Sequence, residues 1–219
     1  MRFFGRKDEI AELHNIRNLS LHTARFTIVT GRRRSGKTSL LLKAYEDVED
    51  LLYFFVARKS EEELCKDFVN EIKEKLQIPI LGDVSRFADI FKYLLQLSKT
   101  RPLTIIIDEF QDFKRVNSSV FSDMQKIWDL NKQDAHVNLV VCGSIYSLMN
   151  IIFKNNKQPL YGRQTGEIKV TPFPPSVIKE ILCTYNPSYT NEDLLALYSY
   201  TGGVAENVEM MLDAGSNTK

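Results

Sequence analysis

Eight consecutive residues hold the densest chemical information in the sequence: Gly31-Arg32-Arg33-Arg34-Ser35-Gly36-Lys37-Thr38. They satisfy the spacing G-x-x-x-x-G-K-[ST], which is that of a loop wrapped around phosphate groups. Gly31 and Gly36 permit close backbone approach and unusual dihedrals, so that N–H groups can face phosphate oxygens. A helix starting near Gly36 adds unpaired N–H groups and the positive end of its dipole. Lys37 supplies a point charge for β- and γ-phosphates, and Thr38 a hydroxyl for Mg²⁺. Ser35 and Ser39 complete the stretch expected to bind nucleotide. Arg32, Arg33 and Arg34 carry no such code; we read them as a solvated basic rim, with a partner contact as the alternative.

Asp108 and Glu109 form the second constellation. They end an apolar run, Leu103-Thr104-Ile105-Ile106-Ile107, as expected of a buried strand delivering a carboxylate beside a phosphate loop, the Walker B arrangement. Asp108 is the candidate Mg²⁺ ligand, mostly through water, and Glu109 the candidate base that polarises water. An adjacent glutamate favours nucleotide hydrolysis over transfer to a metabolite. Ser144 follows a fourth apolar run and has two readings: a polar group between the acids and the γ-phosphate, or an N-cap for the next helix. Gln111 is read as a loop-surface residue, with water orientation as the alternative. Arg163 precedes the last strand and is a candidate arginine finger, in cis or in trans, against a structural ion pair. His14, His22 and His136 lack ligand spacing and are read as ordinary surface residues.

These residues need a scaffold. Apolar runs at 25–30, 51–56, 103–107, 137–142 and 167–170 read as strands, the second buried on both faces. Helical patterns lie between them: one to about Asp47, one opened by the capping box Ser60-x-x-Glu63, and others at 84–98, 118–132 and 145–153. Such alternation predicts a parallel, doubly wound sheet. Pro172, Pro174 and Pro175 mark a boundary, giving a core over 1–172 and a small, incomplete helical lid over 173–219. The tail from Ala214 reads as a frayed end.

Composition narrows the class. A net charge of +1 gives no global field for nucleic acid, and no apolar run suits a membrane span. The three cysteines lack metal-binding spacing and read as reduced thiols of a cytoplasmic protein.

Phe3-x-Gly5-Arg6-x-x-Glu9, the phosphate loop, Ile107-Asp108-Glu109-Phe110-Gln111, Cys142-Gly143-Ser144, Pro159-Leu160-Tyr161-Gly162-Arg163 and Thr201-Gly202-Gly203 occur in this order. The set resembles the archaeal-type ATPase family, found also in bacteria and related to AAA+ and STAND P-loop ATPases. The resemblance covers nearly the whole chain. It implies a three-layer P-loop NTPase sandwich whose five-stranded parallel sheet, on the runs above, has order 5-1-4-3-2. It also implies ATP and Mg²⁺ as cofactors, and Phe4, Gly5 and Arg6 near adenine and ribose. Ala205 replaces the family's usual proline, and no arginine follows Arg163, so a lid arginine is lacking.

The leading expectation is an ATPase switch, with Arg163 as a route to homo-oligomers. The alternatives are a slow-turnover nucleotide-binding scaffold and a DNA-linked ATPase supported only by Arg32–Arg34. No guanine-specifying N-K-x-D box is visible, which favours ATP. The effector domain or partner protein stays open.

Overall fold

A computed structural model describes residues 2–79 and 82–216. Its centre is an all-parallel sheet of β1 (Arg25–Gly31), β2 (Leu51–Phe55), β3 (Leu103–Asp108), β4 (Val137–Gly143) and β5 (Gly166–Val170), in the order β2-β3-β4-β1-β5. This is the expected order 5-1-4-3-2 read from the other edge. Strands β1, β3 and β4 carry almost continuous burial, because helices cover both faces of the sheet. One side is packed by α1 (Lys7–Ser20) and α2 (Lys37–Ala44) through Leu13, Leu40 and Leu41. The other is packed by α3 (Glu61–Leu76), α4 (Phe87–Leu97), a 3-10 turn (Phe110–Asp112), α5 (Phe113–Val116), α6 (Val120–Asn131) and α7 (Tyr146–Lys154). The capping box at Ser60 is formed, with Ser60 and Glu63 satisfying each other's backbone N–H.

Four local expectations change. Strand β2 is not buried on both faces: it lies at the sheet edge, with Leu52 and Phe54 buried and Phe55 51% exposed. Helix α2 stops at Ala44 rather than Asp47, because Tyr45 leaves the helix to lie fully buried, accepting a hydrogen bond from Asn138 Nδ2 at 3.0 Å. The chain after β3 does not run out as a surface loop. Glu109 adopts φ 52°, which turns the backbone sharply and drives Phe110 and Phe113 into the core. Phe110 then packs against Phe121 and Phe153 at 5.5 and 5.7 Å between ring centroids. At the far end, helix continues past Ala214 to Ser216, and the rest of the expected frayed tail lies outside the described residues.

Three further helices, α8 (Pro175–Tyr185), α9 (Asn191–Thr201) and α10 (Ala205–Ser216), form a separate apolar cluster. Phe4 and Phe173 join that cluster, so the N-terminal strap and the chain leaving β5 anchor it to the sheet. Gly203 fixes the join. Phe173 N–H donates to Gly203 O at 2.7 Å, and a Cβ on Gly203 would lie 2.2 Å from Phe173 O. Gly203 has φ 70°, while Gly202 has φ 57° and open space around it. Gly203→Ala should therefore destabilise by about 2 kcal/mol or more, and Gly202→Ala by only about 1 kcal/mol, in urea unfolding. Equal losses would contradict the clash.

Candidate active site

Strand β1 ends on Gly31 because nothing larger fits: a Cβ there would lie 2.6 Å from Val170 O on the neighbouring strand. The loop then crosses to Gly36, whose φ of 84° starts α2 with no side-chain cap. The first N–H groups of α2 are left for a ligand. Lys37 is 6% exposed and lies back along the loop, donating to Gly31 O at 3.2 Å and Arg32 O at 3.1 Å. Burial pushes its ammonium pKa down, while the Glu109 and Asp108 carboxylates pull it up. Ser35 Oγ is buried next to Gly31, without a hydrogen-bond partner among the described residues.

The parallel register brings β3 and β4 beside this loop. Asp108 is 4% exposed and its carboxylate accepts four hydrogen bonds. Thr38 Oγ1 donates at 2.6 Å and Tyr53 O–H at 2.8 Å to Oδ2; Cys142 S–H and the Glu109 N–H each donate at 2.8 Å to Oδ1. Burial, with the Asp108 charge next in order, raises the pKa values of the Tyr53 hydroxyl and the Cys142 thiol, which keeps both as donors. Glu109 is half-buried, and its Oε2 accepts from Ser144 Oγ at 2.8 Å and from the Gln111 amide. Ser144 thus directs its hydroxyl to Glu109, and α7, which starts at Tyr146 after Ile145, has no side-chain cap. Gln111 is 1% exposed, so its reading as a surface loop residue is overturned by the same Glu109 turn that buries Phe110.

Above these groups lies a cleft of about 550 Å³. Lys37, Thr38, Ser39, Asp108, Glu109 and Ser144 line it, together with Phe3, Phe4, Arg6 and Phe173. Residues 3–211 match the family described as an ATPase domain predominantly from Archaea. The chain belongs to that family.

This archaeal ATPase domain is 30% identical over 207 residues to an uncharacterized protein of Methanocaldococcus jannaschii, covering 94% of this chain and 43% of the relative. A second uncharacterized protein of that organism is 43% identical over 56 residues, covering 26% of this chain and 54% of the relative. The matched segments cover about half the length of each of these curated relatives. The solved Walker-type ATPase of Pyrococcus abyssi superposes with a TM-score of 0.74 at 20% identity, covering 99% of this chain and 69% of that one. Cdc6p of Pyrobaculum aerophilum gives 0.66 at 17% identity, covering 96% of this chain and 61% of that one. At such identities these two likenesses speak to the P-loop fold.

Other expected residues of the ATPase domain are placed less simply. Gly5 and Gly31 shape the backbone without lining the cleft; Gly5 sits against Val177, with room for no more than a strained Cβ at 3.1 Å. Arg6 lines the cleft, but its guanidinium is committed to structure. It donates to Thr171 O at 2.5 Å, Ser35 O at 3.3 Å and Glu9 at 2.9 Å, and lies 4.7 Å from the Phe173 ring centroid. Arg32, Arg33 and Arg34 are exposed; Arg33 and Arg34 line the cleft, and Arg34 pairs with Glu206 on α10 at 3.4 Å. The Glu206 N–H donates to Arg34 O at 3.2 Å, and Ala205 lies where a Gly36 Cβ would touch it at 3.5 Å. The N-terminus of α10 therefore rests on the phosphate loop. Arg163 does not enter the cleft of its own chain; it pairs with Asp129 on α6 at 3.1 Å and with Tyr161 O at 2.8 Å. Of the histidines, His14 and His22 are exposed, while His136 is half-buried where the chain enters β4.

The donor set suits a hard cation and a phosphate. Thr38 and Asp108 put two oxygens within 2.6 Å of each other next to the loop, and Mg²⁺ takes one or two protein oxygens plus substrate phosphates. The unpartnered Ser35 hydroxyl and the Gly31 cradle leave polar atoms for phosphate oxygens. Sequence reasoning missed Tyr53 and Cys142 because both reach Asp108 across neighbouring strands. The alignment of Phe55 with Asp108 gives the register that could have found Tyr53.

Proposed function

We propose that this ATPase domain binds ATP with Mg²⁺ in the described cleft and hydrolyses it to ADP and phosphate. One juxtaposition supports this reading: the Thr38–Asp108 pair at 2.6 Å lies beside the Ser144–Glu109 pair at 2.8 Å, with Lys37 in the same cleft. Lys37 leaves the loop carbonyls for the β- and γ-phosphates, joining N–H groups of the loop and of the first turn of α2. Thr38 and Asp108 would hold Mg²⁺, which when bound neutralises phosphate charge. Glu109 accepts a proton from the attacking water while Ser144 holds its carboxylate. Arg163 acts in trans, reaching the cleft of a second copy, and a lone domain turns over slowly. Helices α8–α10 act as a lid whose contact with the loop through Arg34 and Glu206 couples nucleotide state to conformation or assembly. The free, buried thiols of Cys65 and Cys142 fit a cytoplasmic setting. Among the described residues no helix is long and apolar enough to cross a membrane.

Binding provides the test. Lys37→Ala should weaken ATP by about tenfold or more, roughly 1.5–3 kcal/mol for charge-assisted bonds. Asp108→Asn should lose the Mg²⁺-dependent part of the affinity, as should adding chelator to the wild type. Wild-type affinity in the Lys37→Ala protein, read by nucleotide titration, would overturn the site.

A further inference from the structure

Gln111 has no part in the reading above, yet its amide holds the proposed base. Its Nε2 donates to Glu109 Oε2, the oxygen that also accepts the Ser144 hydroxyl. Chemistry fixes the amide orientation: a carboxylate only accepts, so the nitrogen faces Glu109 and Oε1 faces away. That orientation is unfavourable on its own account. Oε1 is buried with no partner among the described residues, and an apolar side chain of equal length would avoid stranding a carbonyl there.

The neighbouring strand is also built around this amide. A Cβ on Gly143 would lie 2.2 Å from Gln111 Oε1 and 2.7 Å from Met149 Sδ, so only glycine leaves Gln111 its place. Two further features converge on the same bond. Glu109 holds φ 52°, a conformation that costs a non-glycine residue energy and that here aims Gln111 inward rather than out to solvent. Phe110 and Phe113, both fully buried, fix the turn on either side. A stranded carbonyl, an obligatory glycine and a left-handed glutamate all accompany one N–H on one carboxylate oxygen.

We infer that Gln111 is a positioning residue for the ATPase reaction. With Ser144 it grips Oε2 of Glu109 and leaves the other oxygen, Oε1, for the attacking water. A carboxylate held by one hydroxyl alone could still rotate; two donors on the same oxygen define its plane. The inference rests on the ATPase reading and adds to it the residue that orients the base.

The experiment is Gln111→Met in the full domain. Methionine keeps the length and approximate volume of glutamine and removes both the tether and the stranded carbonyl. The melting temperature should be unchanged or raised. The dissociation constants for ADP and Mg·ATP, and KM, should stay within about twofold, while kcat falls about tenfold or more. Adding Gln111→Met to Glu109→Gln should slow turnover no further, because nothing remains to be positioned. Wild-type kcat in a stable Gln111→Met protein would reduce Gln111 to packing and overturn the inference, as would full additivity in the double variant. A lowered melting temperature transfers the same kcat and additivity comparison to Gln111→Leu, which also lacks the donor and brings no second carboxyl against Glu109. Failure of the ATPase reading has a different signature: no Mg²⁺-dependent turnover in the wild type, or none lost in Glu109→Gln.

Discussion

Arg163→Ala should lower turnover of concentrated protein by about 10³–10⁵-fold while nucleotide affinity stays close to wild type, the range for removing an arginine finger. The expectation comes from where the guanidinium lies. It is outside its own cleft, held by Asp129 at 3.1 Å and Tyr161 O at 2.8 Å. The ion pair is partly solvated and so is easily exchanged for a phosphate on a second copy. Asp129 keeps Lys132 at 3.1 Å when the arginine is removed, so the fold should persist. An arginine that meets only transition-state charge changes rate rather than binding. Wild-type turnover should rise more than linearly with protein concentration, and Arg163→Ala should abolish the rise. Mixing Arg163→Ala with Glu109→Gln should partly restore activity, since one mixed interface joins an intact arginine to an intact glutamate. Hydrolysis proportional to concentration and indifferent to Arg163→Ala would sink the trans assignment; proportional hydrolysis that still needs Arg163 would move the arginine to a cis role.

Glu109→Gln is expected to drop turnover by about 10²-fold or more and keep Mg·ATP binding. The amide cannot accept a proton from water, whereas Thr38 and Asp108, the groups proposed to hold the metal, are untouched. Phosphate release read beside nucleotide titration separates the two effects. Normal hydrolysis by Glu109→Gln would mean that another group is the base.

The sequence made some of this legible and hid the rest, for physical reasons. The phosphate loop can be read because each residue type answers a local demand: Gly31 and Gly36 for backbone approach, Lys37 for charge, Thr38 for a hydroxyl. Strand ends are equally readable, since an unbroken apolar run that stops at Asp108 has few alternatives in a covered parallel sheet. The strand order came with the resemblance and agrees with the structure. Gln111 could not be read, because its burial follows from the left-handed turn at Glu109 and from where Phe110 finds space among Phe121 and Phe153. Tyr53 and Cys142 reach Asp108 only once three strands are in register. The resemblance implies Arg6 near adenine and ribose; Arg6 lines the cleft, and its hydrogen bonds also tie the N-terminal strap to the phosphate loop and the exit from β5. Phe4 likewise belongs to the apolar cluster of α8–α10, a long-range association that no local pattern announces.

The central claim, that this one cleft both binds and cleaves ATP, is tested most directly by single-turnover phosphate release with protein in excess over nucleotide. The concentration is set high enough for copies to meet, and the reaction is run with Mg²⁺ and with chelator. The account predicts that bound ATP is converted fully to ADP and phosphate in Mg²⁺, that chelator stops it, and that Glu109→Gln binds the nucleotide and leaves it intact. ATP that stays bound and uncleaved by the wild-type protein in Mg²⁺ would contradict the account and leave a nucleotide-binding scaffold in its place.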